Sequence, residues 1–292
     1  MYVVTGATGN TGHVVAEKLL AAGKAVRVIG RDAAKLQPLV RKGAEPIVGN
    51  AGDPRTLTAA FTGARAVYAM IPPDYVSEDP MGHQRRIAEA LAGAVREARV
   101  PHTVFLSSVG AQNRTGAGPV SGLGRAEDLF EAIPDANVLF LRPAFYMENL
   151  YSMVPMIKQG FIATVLLADL VFPWIATADI GQAAADELLQ LSFKGKSVRE
   201  LHGQRDLSFV EATGIVGKAA GNPNLKYVQA SNDDARGGML QMGLKPALVD
   251  SFLEMYGAMN ERRMKPVQPR TDRSTTPTSL EAFAKGLAAM LG

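Results

Sequence analysis

Short apolar runs alternate, along the first half of the chain, with longer segments in which an apolar residue returns every third or fourth position. The runs cover residues 1–5, 25–29, 45–49, 66–71, 102–106 and 137–142. Their length and β-branched content mark them as strands. Between them, residues 13–20 carry Val14, Val15 and Leu19, and residues 82–99 repeat Ile87, Leu91 and Val95 at intervals of four. That is the spacing of helices packed by one face. Asp32 before Ala33, and the pair Asp53-Pro54, read as helix starts, and residues 125–133 read as a further helix. Strands alternating with helices in right-handed crossovers predict an α/β chain built on a doubly wound parallel sheet. Ligands of such sheets bind at the C-terminal ends of the strands.

Beyond residue 150 the alternation breaks. Residues 179–189 predict a helix started by Asp179, with Ile180, Ala183, Ala184 and Leu188 on its apolar face. Residues 198–201 predict a late strand of the main sheet. Ser208 with Glu211, and Thr278 with Glu281, have the spacing of capping boxes. Residues 226–230 predict a strand, and 235–261 are largely helical. The Gly-, Asn- and Ser-rich segment 110–124 reads as a mobile loop over the site, and the basic segment 262–273 as a solvated linker. These patterns divide the chain into a dinucleotide-binding domain, residues 1–150 completed by 176–203, and a smaller, mostly helical lobe made of the rest of 151–292.

The turn after the first strand carries the strongest chemical signal. Thr5-Gly6-Ala7-Thr8-Gly9-Asn10-Thr11-Gly12 places glycine at every third position between a strand and a helix N-terminus. Gly6 lets the chain leave the strand sharply, Gly9 lets backbone approach a pyrophosphate, and Gly12 lets the helix pack close. The spacing departs from G-x-G-x-x-G, and glycines alone also fit a turn without a ligand. Arg31 follows the second strand, where such folds select the cofactor: an acid bonds the ribose hydroxyls, a base accepts a 2′-phosphate. Its guanidinium can fork onto phosphate, so NADP(H) is expected over NAD(H). Asp32 is either a ribose ligand or a helix cap. Candidate cofactor contacts at the remaining strand ends are Asn50, Ala51, Met70, Ile71, Pro72, Ser107, Ser108, Pro143 and Phe145, with Thr8, Asn10 and Thr11 in the turn itself.

Composition narrows the classes. Cysteine is absent, which excludes disulfides and thiolate chemistry and fits a reducing cytoplasm, the expected location. The first strand begins almost at Met1, so no signal peptide is expected. The four histidines show no metal-ligand spacing, and no metal site is expected. The longest apolar stretch, 161–176, contains Asp169 and Pro173 and is too short for a bilayer. It reads as a buried wall or pocket lining. The net charge of +3 suits an anionic cofactor and falls far short of a nucleic-acid-binding face.

Several separate stretches now combine. The glycine turn, Leu141-Arg142-Pro143-Ala144-Phe145-Tyr146-Met147-Glu148-Asn149-Leu150, Ala178-Asp179-Ile180-Gly181 and Thr276-Pro277-Thr278-Ser279-Leu280-Glu281 occur in that order. Together they resemble the NmrA-like family of atypical short-chain dehydrogenases/reductases over essentially the whole chain. The resemblance implies a Rossmann sheet that binds NADP(H), with the C-terminal lobe closing over the nicotinamide. It also implies one of two kinds of protein, a reductase of quinones, dyes or similar acceptors, or a cofactor-sensing regulator with little chemistry.

Short-chain dehydrogenases of alcohols and ketones carry a serine and a Tyr-x-x-x-Lys pair, whose phenol supplies the proton while hydride leaves the nicotinamide. Ser107 or Ser108 stands near the serine position, yet no tyrosine occurs between Val109 and Phe145. The corresponding segment is Ser121-Gly122-Leu123-Gly124-Arg125. The expected acceptor is therefore a small aromatic molecule that needs no strong enzyme acid, such as a quinone, whose reduced anion is resonance-stabilised. The alternative is no turnover, with the bound cofactor altering a surface for a protein partner. Arg125 either positions the nicotinamide ribose in the lysine's place or is a surface charge. Tyr146 and Asn149 either line the acceptor pocket or serve as core and turn cap. Phe172 and Trp174 either offer the acceptor a flat surface or pack between the lobes. The chain is expected as a monomer or homodimer, without nucleic-acid or membrane partners.

Overall fold

The computed structural model describes residues 1–291. Its first half alternates as expected: β1 (Tyr2–Val4), α1 (Asn10–Ala21), β2 (Val26–Gly30), α2 (Ala33–Val40), β3 (Glu45–Val48), α3 (Pro54–Phe61), β4 (Ala66–Ala69), α4 (Pro80–Glu97), β5 (His102–Leu106), α5 (Pro119–Glu131) and β6 (Asn137–Pro143). Then come β7 (Phe145–Tyr146), a 3-10 segment (Met147–Met153), α6 (Val154–Lys158), β8 (Phe161–Thr164), β9 (Phe172–Ile175) and α7 (Thr177–Gln190). The chain closes with β10 (Lys196–Leu201), β11 (Asp206–Leu207), α8 (Phe209–Ala219), β12 (Lys226–Gln229), α9 (Asn232–Gln241), α10 (Pro246–Asn260) and α11 (Leu280–Ala288).

Seven strands form one sheet in the order β10-β6-β5-β4-β1-β2-β3, and every pair in it is parallel. The chain builds outward from β1 through β2 to β3, then returns to the other side of β1 to place β4. This reversal opens a crevice beyond the C-terminal ends of β1 and β4, where doubly wound sheets bind ligands. Strand alternation supplies both cores. Val4, Val28, Tyr68 and Val104 face the layer of α1, α2 and α7, whereas Val3, Ile29, Val67 and Phe105 face α3, α4 and α5. Helices α1 and α7 meet closely because Gly181 is bare: a Cβ there would lie 2.6 Å from Val14 Cβ.

The smaller lobe is held by an aromatic cluster. Phe145, β-paired with Trp174, places its ring centroid 4.7 Å from the indole, and Phe209 lies tilted 5.0 Å from the same ring. Trp174 donates Nε1–H to the Leu207 carbonyl at 3.2 Å.

Three distant segments interlock at the start of α7. Glu148 accepts hydrogen bonds from the Thr177 amide (2.9 Å) and hydroxyl (2.6 Å), capping the helix from outside. Asp179, expected as the cap, instead accepts from the Thr278 amide (3.0 Å) and hydroxyl (2.8 Å). Thr278 is thereby taken out of its expected capping box, and Ser279 caps α11 by accepting from the Ala282 amide. The Ser208–Glu211 box forms as expected.

Residues 262–276 are not a solvated linker but a strap along the β10 edge. The strap is anchored because β10 offers outward-facing polar groups that burial would otherwise orphan. Gln268 turns its side-chain amide to the strand, accepting from the Glu200 amide (3.1 Å) and donating to the Val198 carbonyl (3.0 Å). In return, the fully buried Glu200 carboxylate accepts from the Val267 and Gln268 amides, and from His202 Nε2 at 3.1 Å. Arg199 donates to the Arg273 carbonyl, and the His202 amide to Ser274. Burial pushes the Glu200 carboxyl up, but His202 and the two amides outweigh it and hold the group below the usual carboxylate range.

This depression makes Glu200 stabilising above the ordinary glutamate pKa of about 4.3, a contribution lost as pH falls through its lower folded value. Urea unfolding followed from pH 7 to 3 is expected to show that loss in the native chain. Glu200→Gln should be less stable at pH 7 and show a flatter acid limb. Parallel curves for the two proteins would exclude Glu200 as its source.

Candidate functional site

The glycine turn is built tightly from its own residues. Thr5 Oγ1 donates to the Tyr68 carbonyl (3.2 Å) and accepts from the Met70 amide (3.0 Å), tying the ends of β1 and β4 together. Gly6 adopts φ +62°, and the Met70 thioether lies over it, 2.5 Å from where a Cβ would stand. A Cβ on Gly12 would lie 2.3 Å from the Gly6 carbonyl oxygen. Helix α1 starts at Gly9 without a side-chain cap. Among the described residues the amides of Asn10, Thr11 and Gly12 have no acceptor. Three unpaired N–H groups at the positive end of a helix, flanked by the exposed Thr8, Gly9 and Asn10, fit a pyrophosphate. Thr11 contributes through its amide alone, because its hydroxyl is buried and accepts from the Tyr68 phenol at 2.8 Å.

Arg31 is exposed at the end of β2, with no ion-pair partner among the described residues. The Asp32 ambiguity resolves toward the cap: Oδ1 accepts from the Ala34 amide (2.8 Å) and the Lys35 amide (3.3 Å). Thr8 Cγ2 stands 3.2 Å from a Cβ built on Gly30, which puts the turn beside the Arg31 backbone. Beyond β3, Asn50 closes a turn by accepting from the Gly52 amide at 2.9 Å, and Ala51 is half-buried. Met70, Ile71 and Pro72 are half-buried beyond β4. From β2 to β6 the sheet crosses four interstrand steps of ~4.8 Å. The row of strand ends therefore has the reach of an extended dinucleotide.

Other expected contacts are placed differently. Ser107 is 2% exposed and donates its hydroxyl to Glu127 Oε1 at 2.6 Å. Glu127, fully buried on α5, also pairs with Arg142 Nε at 2.8 Å and lies 3.4 Å from Arg114 Nη1. The serine thus belongs to a buried charge cluster that joins β5, β6 and α5, not to the open cleft. Ser108 is half-buried and donates to the Val109 carbonyl. Pro143 is buried, its carbonyl accepting from the Val109 amide at 3.0 Å. Phe145 turns its ring into the lobe's aromatic cluster, 5.4 Å from Phe209. Phe172 and Trp174, at 4% and 1% exposure, have no surface to offer an acceptor and are lobe core.

Tyr146 follows Phe145 and is half-buried, and Asn149 is exposed. No hydrogen-bond partner for the Tyr146 phenol occurs among the described residues. Burial, then the Tyr68, Glu148 and Tyr75 groups around it, push that phenol well above the usual tyrosine range. Tyr75 acts likewise on Tyr256 of α10, which burial, then Tyr75, push up to about 12. Tyr75 thus lies within electrostatic reach of both Tyr146 and Tyr256. Sequence reasoning missed Tyr75 and Tyr256, because nothing local shows that α10 packs beside the start of α4, where Ser251 meets the Met81 sulfur. It also missed Glu127, whose signal was readable: an acid among the buried positions of α5.

The loop expected to be mobile over residues 110–124 is shorter and tied down. Helix α5 starts at Pro119, a residue suited to the first helical position. The Asn113 side chain donates to the Arg263 carbonyl, Gln112 to that of Lys265, and Arg263 to that of Gly116. Arg125 is exposed, donates Nε–H to the Arg114 carbonyl, and lines a cavity of about 490 Å³ with Met81, Ser121, Asp250 and Glu254. Among the described residues no group of His, Asp or Glu could hold a metal ion, and no helix is long and apolar enough to cross a membrane.

The model of the NmrA-like family matches residues 2–284. An NAD(P)H azoreductase of Xenophilus azovorans is 27% identical over 296 aligned residues, covering 100% of this chain and 99% of that protein. Quinone oxidoreductase 2 of Escherichia coli K12 is 25% identical, covering 87% of this chain and 86% of that protein. The crystal structure of the Escherichia coli NADPH-dependent quinone oxidoreductase complexed with NADPH superposes with a TM-score of 0.82 at 22% identity, covering 98% and 99% of the two chains. That likeness shows the fold.

Removing one partner of the Glu127 cluster leaves Arg142 buried and unpaired. Glu127→Ala is expected to cost about 3–5 kcal/mol of stability in urea unfolding, against ~1 kcal/mol for Ser107→Ala. Equal costs would mean that the arginine finds another partner.

Proposed function

The chain belongs to the NmrA-like family, and from that footing we propose that it is an NADPH-dependent reductase of quinone-like or dye-like aromatic acceptors. The observation that carries this reading is the glycine turn with its three unpaired amides, set in line with an unpartnered Arg31. The cofactor would lie across the strand ends, its pyrophosphate on the amides of Asn10, Thr11 and Gly12 and its 2′-phosphate against Arg31. Asn50 and Ala51 would flank the adenine, and Met70, Ile71, Pro72 and Ser108 the nicotinamide ribose. Residues 1–150 with 176–203 would form the cofactor domain, and the remainder of the chain would supply the acceptor side.

When bound, the reduced nicotinamide supplies hydride. What the residues add is placement. The turn and Arg31 would hold the dinucleotide, while Tyr146 would give an aromatic acceptor an apolar face on which to lie. The chain carries Ser121-Gly122-Leu123-Gly124-Arg125 where alcohol and ketone dehydrogenases carry Tyr-x-x-x-Lys. That substitution favours acceptors whose reduced anion is already stabilised by conjugation, such as quinones and azo or triarylmethane dyes. The named activities of the azoreductase and the quinone oxidoreductase support the same class. The missing acid also favours a second reading, a cofactor-binding regulator that does not turn over.

Purified protein with NADPH and a panel of quinones and dyes separates the two readings. Acceptor-dependent NADPH oxidation is expected, and saturable NADPH binding without oxidation would select the regulator. Arg31→Ala is expected to weaken NADPH binding by about tenfold to a hundredfold, as for a lost charge-assisted hydrogen bond, with NADH binding little changed. Equal losses for both cofactors would exclude Arg31 as the phosphate reader.

A further inference from the structure

Tyr146 stands at the junction of the cleft and the lobe. In the two-residue strand β7, successive side chains point to opposite faces. Phe145 goes into the lobe, 4.7 Å from Trp174, so Tyr146 points the other way, toward the strand ends. Two other buried or half-buried phenols are already engaged: Tyr68 donates to Thr11 Oγ1, and Tyr227 to the Leu166 carbonyl. No partner occupies the Tyr146 hydroxyl among the described residues, although the ring is packed against the main core. A half-buried phenol held by its ring and left with a free O–H is a preorganised donor.

We infer that Tyr146 donates a hydrogen bond to the acceptor atom that becomes negative as it is reduced, and keeps its own proton throughout. The inference rests on the reductase reading. For a quinone, hydride from the reduced nicotinamide forms a new bond to the conjugated acceptor, a C=O π bond opens, and the electron pair settles on that oxygen. The cofactor is oxidised and the quinone reduced by two electrons. The oxyanion then takes its proton from water, while the Tyr146 O–H bond stays intact. The titratable groups within electrostatic reach of the phenol are Tyr68 from β4, Glu148 from the 3-10 segment and Tyr75 from the loop after β4. Two are themselves phenols and one is a carboxylate, so none of them favours a tyrosinate. This surrounding suits a donor that does not ionise and disfavours a proton shuttle.

The test compares the native chain with Tyr146→Phe, and uses Tyr151→Phe as control, since Tyr151 is exposed and packs on Phe283 at 5.4 Å, away from the cleft. The first readout needs no turnover: binding of a substituted naphthol, whose absorbance reports its ionisation. The native chain should bind the naphtholate form about tenfold to a hundredfold more tightly than Tyr146→Phe, the range for a hydrogen bond to a charged group. The second is quinone reduction, where kcat should fall by a similar factor with KM little changed and the pH profile between 6 and 9 keeping its shape. Unchanged naphtholate affinity would overturn the inference. So would a basic limb present in the native profile and missing from Tyr146→Phe, because it would make the phenol the proton source. Failure of the native chain to reduce any quinone or dye would instead defeat the reductase reading, and the naphtholate comparison would still decide the role of Tyr146.

Discussion

Helix α1 is held by contacts that only glycine permits, and the site is built outward from it. On one side Gly12 lets the helix settle against the Gly6 carbonyl, where a Cβ would stand 2.3 Å from the oxygen; on the other, Gly181 lets α7 close onto Val14. Any side chain at either place would lift the helix and move its three unpaired amides off the crevice between β1 and β4. The same contact transmits the position of the lobe. Glu148 grips the first turn of α7, and Asp179 reaches from that turn to Thr278. The helix that would face the pyrophosphate and the segments that would border the acceptor side are thus referred to one point.

The parallel sheet was legible because its signals are local. Strand runs, apolar faces and caps such as Asp32, Asp53 and Ser208 are each written within a few neighbouring residues, and each formed. The glycine turn was legible for the same reason. What was not legible depends on partners far away in the chain. Thr278 and Glu281 have the spacing of a capping box, yet a carboxylate 99 residues earlier claims the threonine. Residues 262–273 look like a basic linker until β10 supplies the groups that bind them. Trp174 looks like an acceptor platform until Phe209 and Phe145 cover it. In each case the residue type is local and the partner that decides its role is not.

The buried acids follow one rule that bears on the chemistry. Glu127, Glu187, Glu200 and Asp179 are all withdrawn from solvent, and each is engaged by arginines, amides or hydroxyls of the framework. Buried carboxylates with complete partners rigidify a fold. Ser107, expected at the cleft, is drawn into the same system by Glu127. Polar groups near β5 and β6 are spent on holding strands together, and the aromatic side of the cleft is left to phenols. That division matches an acceptor chosen for its own electron affinity, not one forced to react by a strong enzyme acid.

Gln268 has a consequence for how copies of this chain can associate. A side-chain amide carries the same donor and acceptor as a peptide unit, and here it occupies the Glu200 amide and the Val198 carbonyl that a neighbouring strand would use. The sheet is therefore finished on that side by a single residue, without an extra strand. A second copy cannot extend it through the occupied stretch of β10, and self-association along this flank has to proceed through helices or loops. The strap that covers this edge also secures the 112–116 loop, so one short segment serves both the sheet edge and that loop.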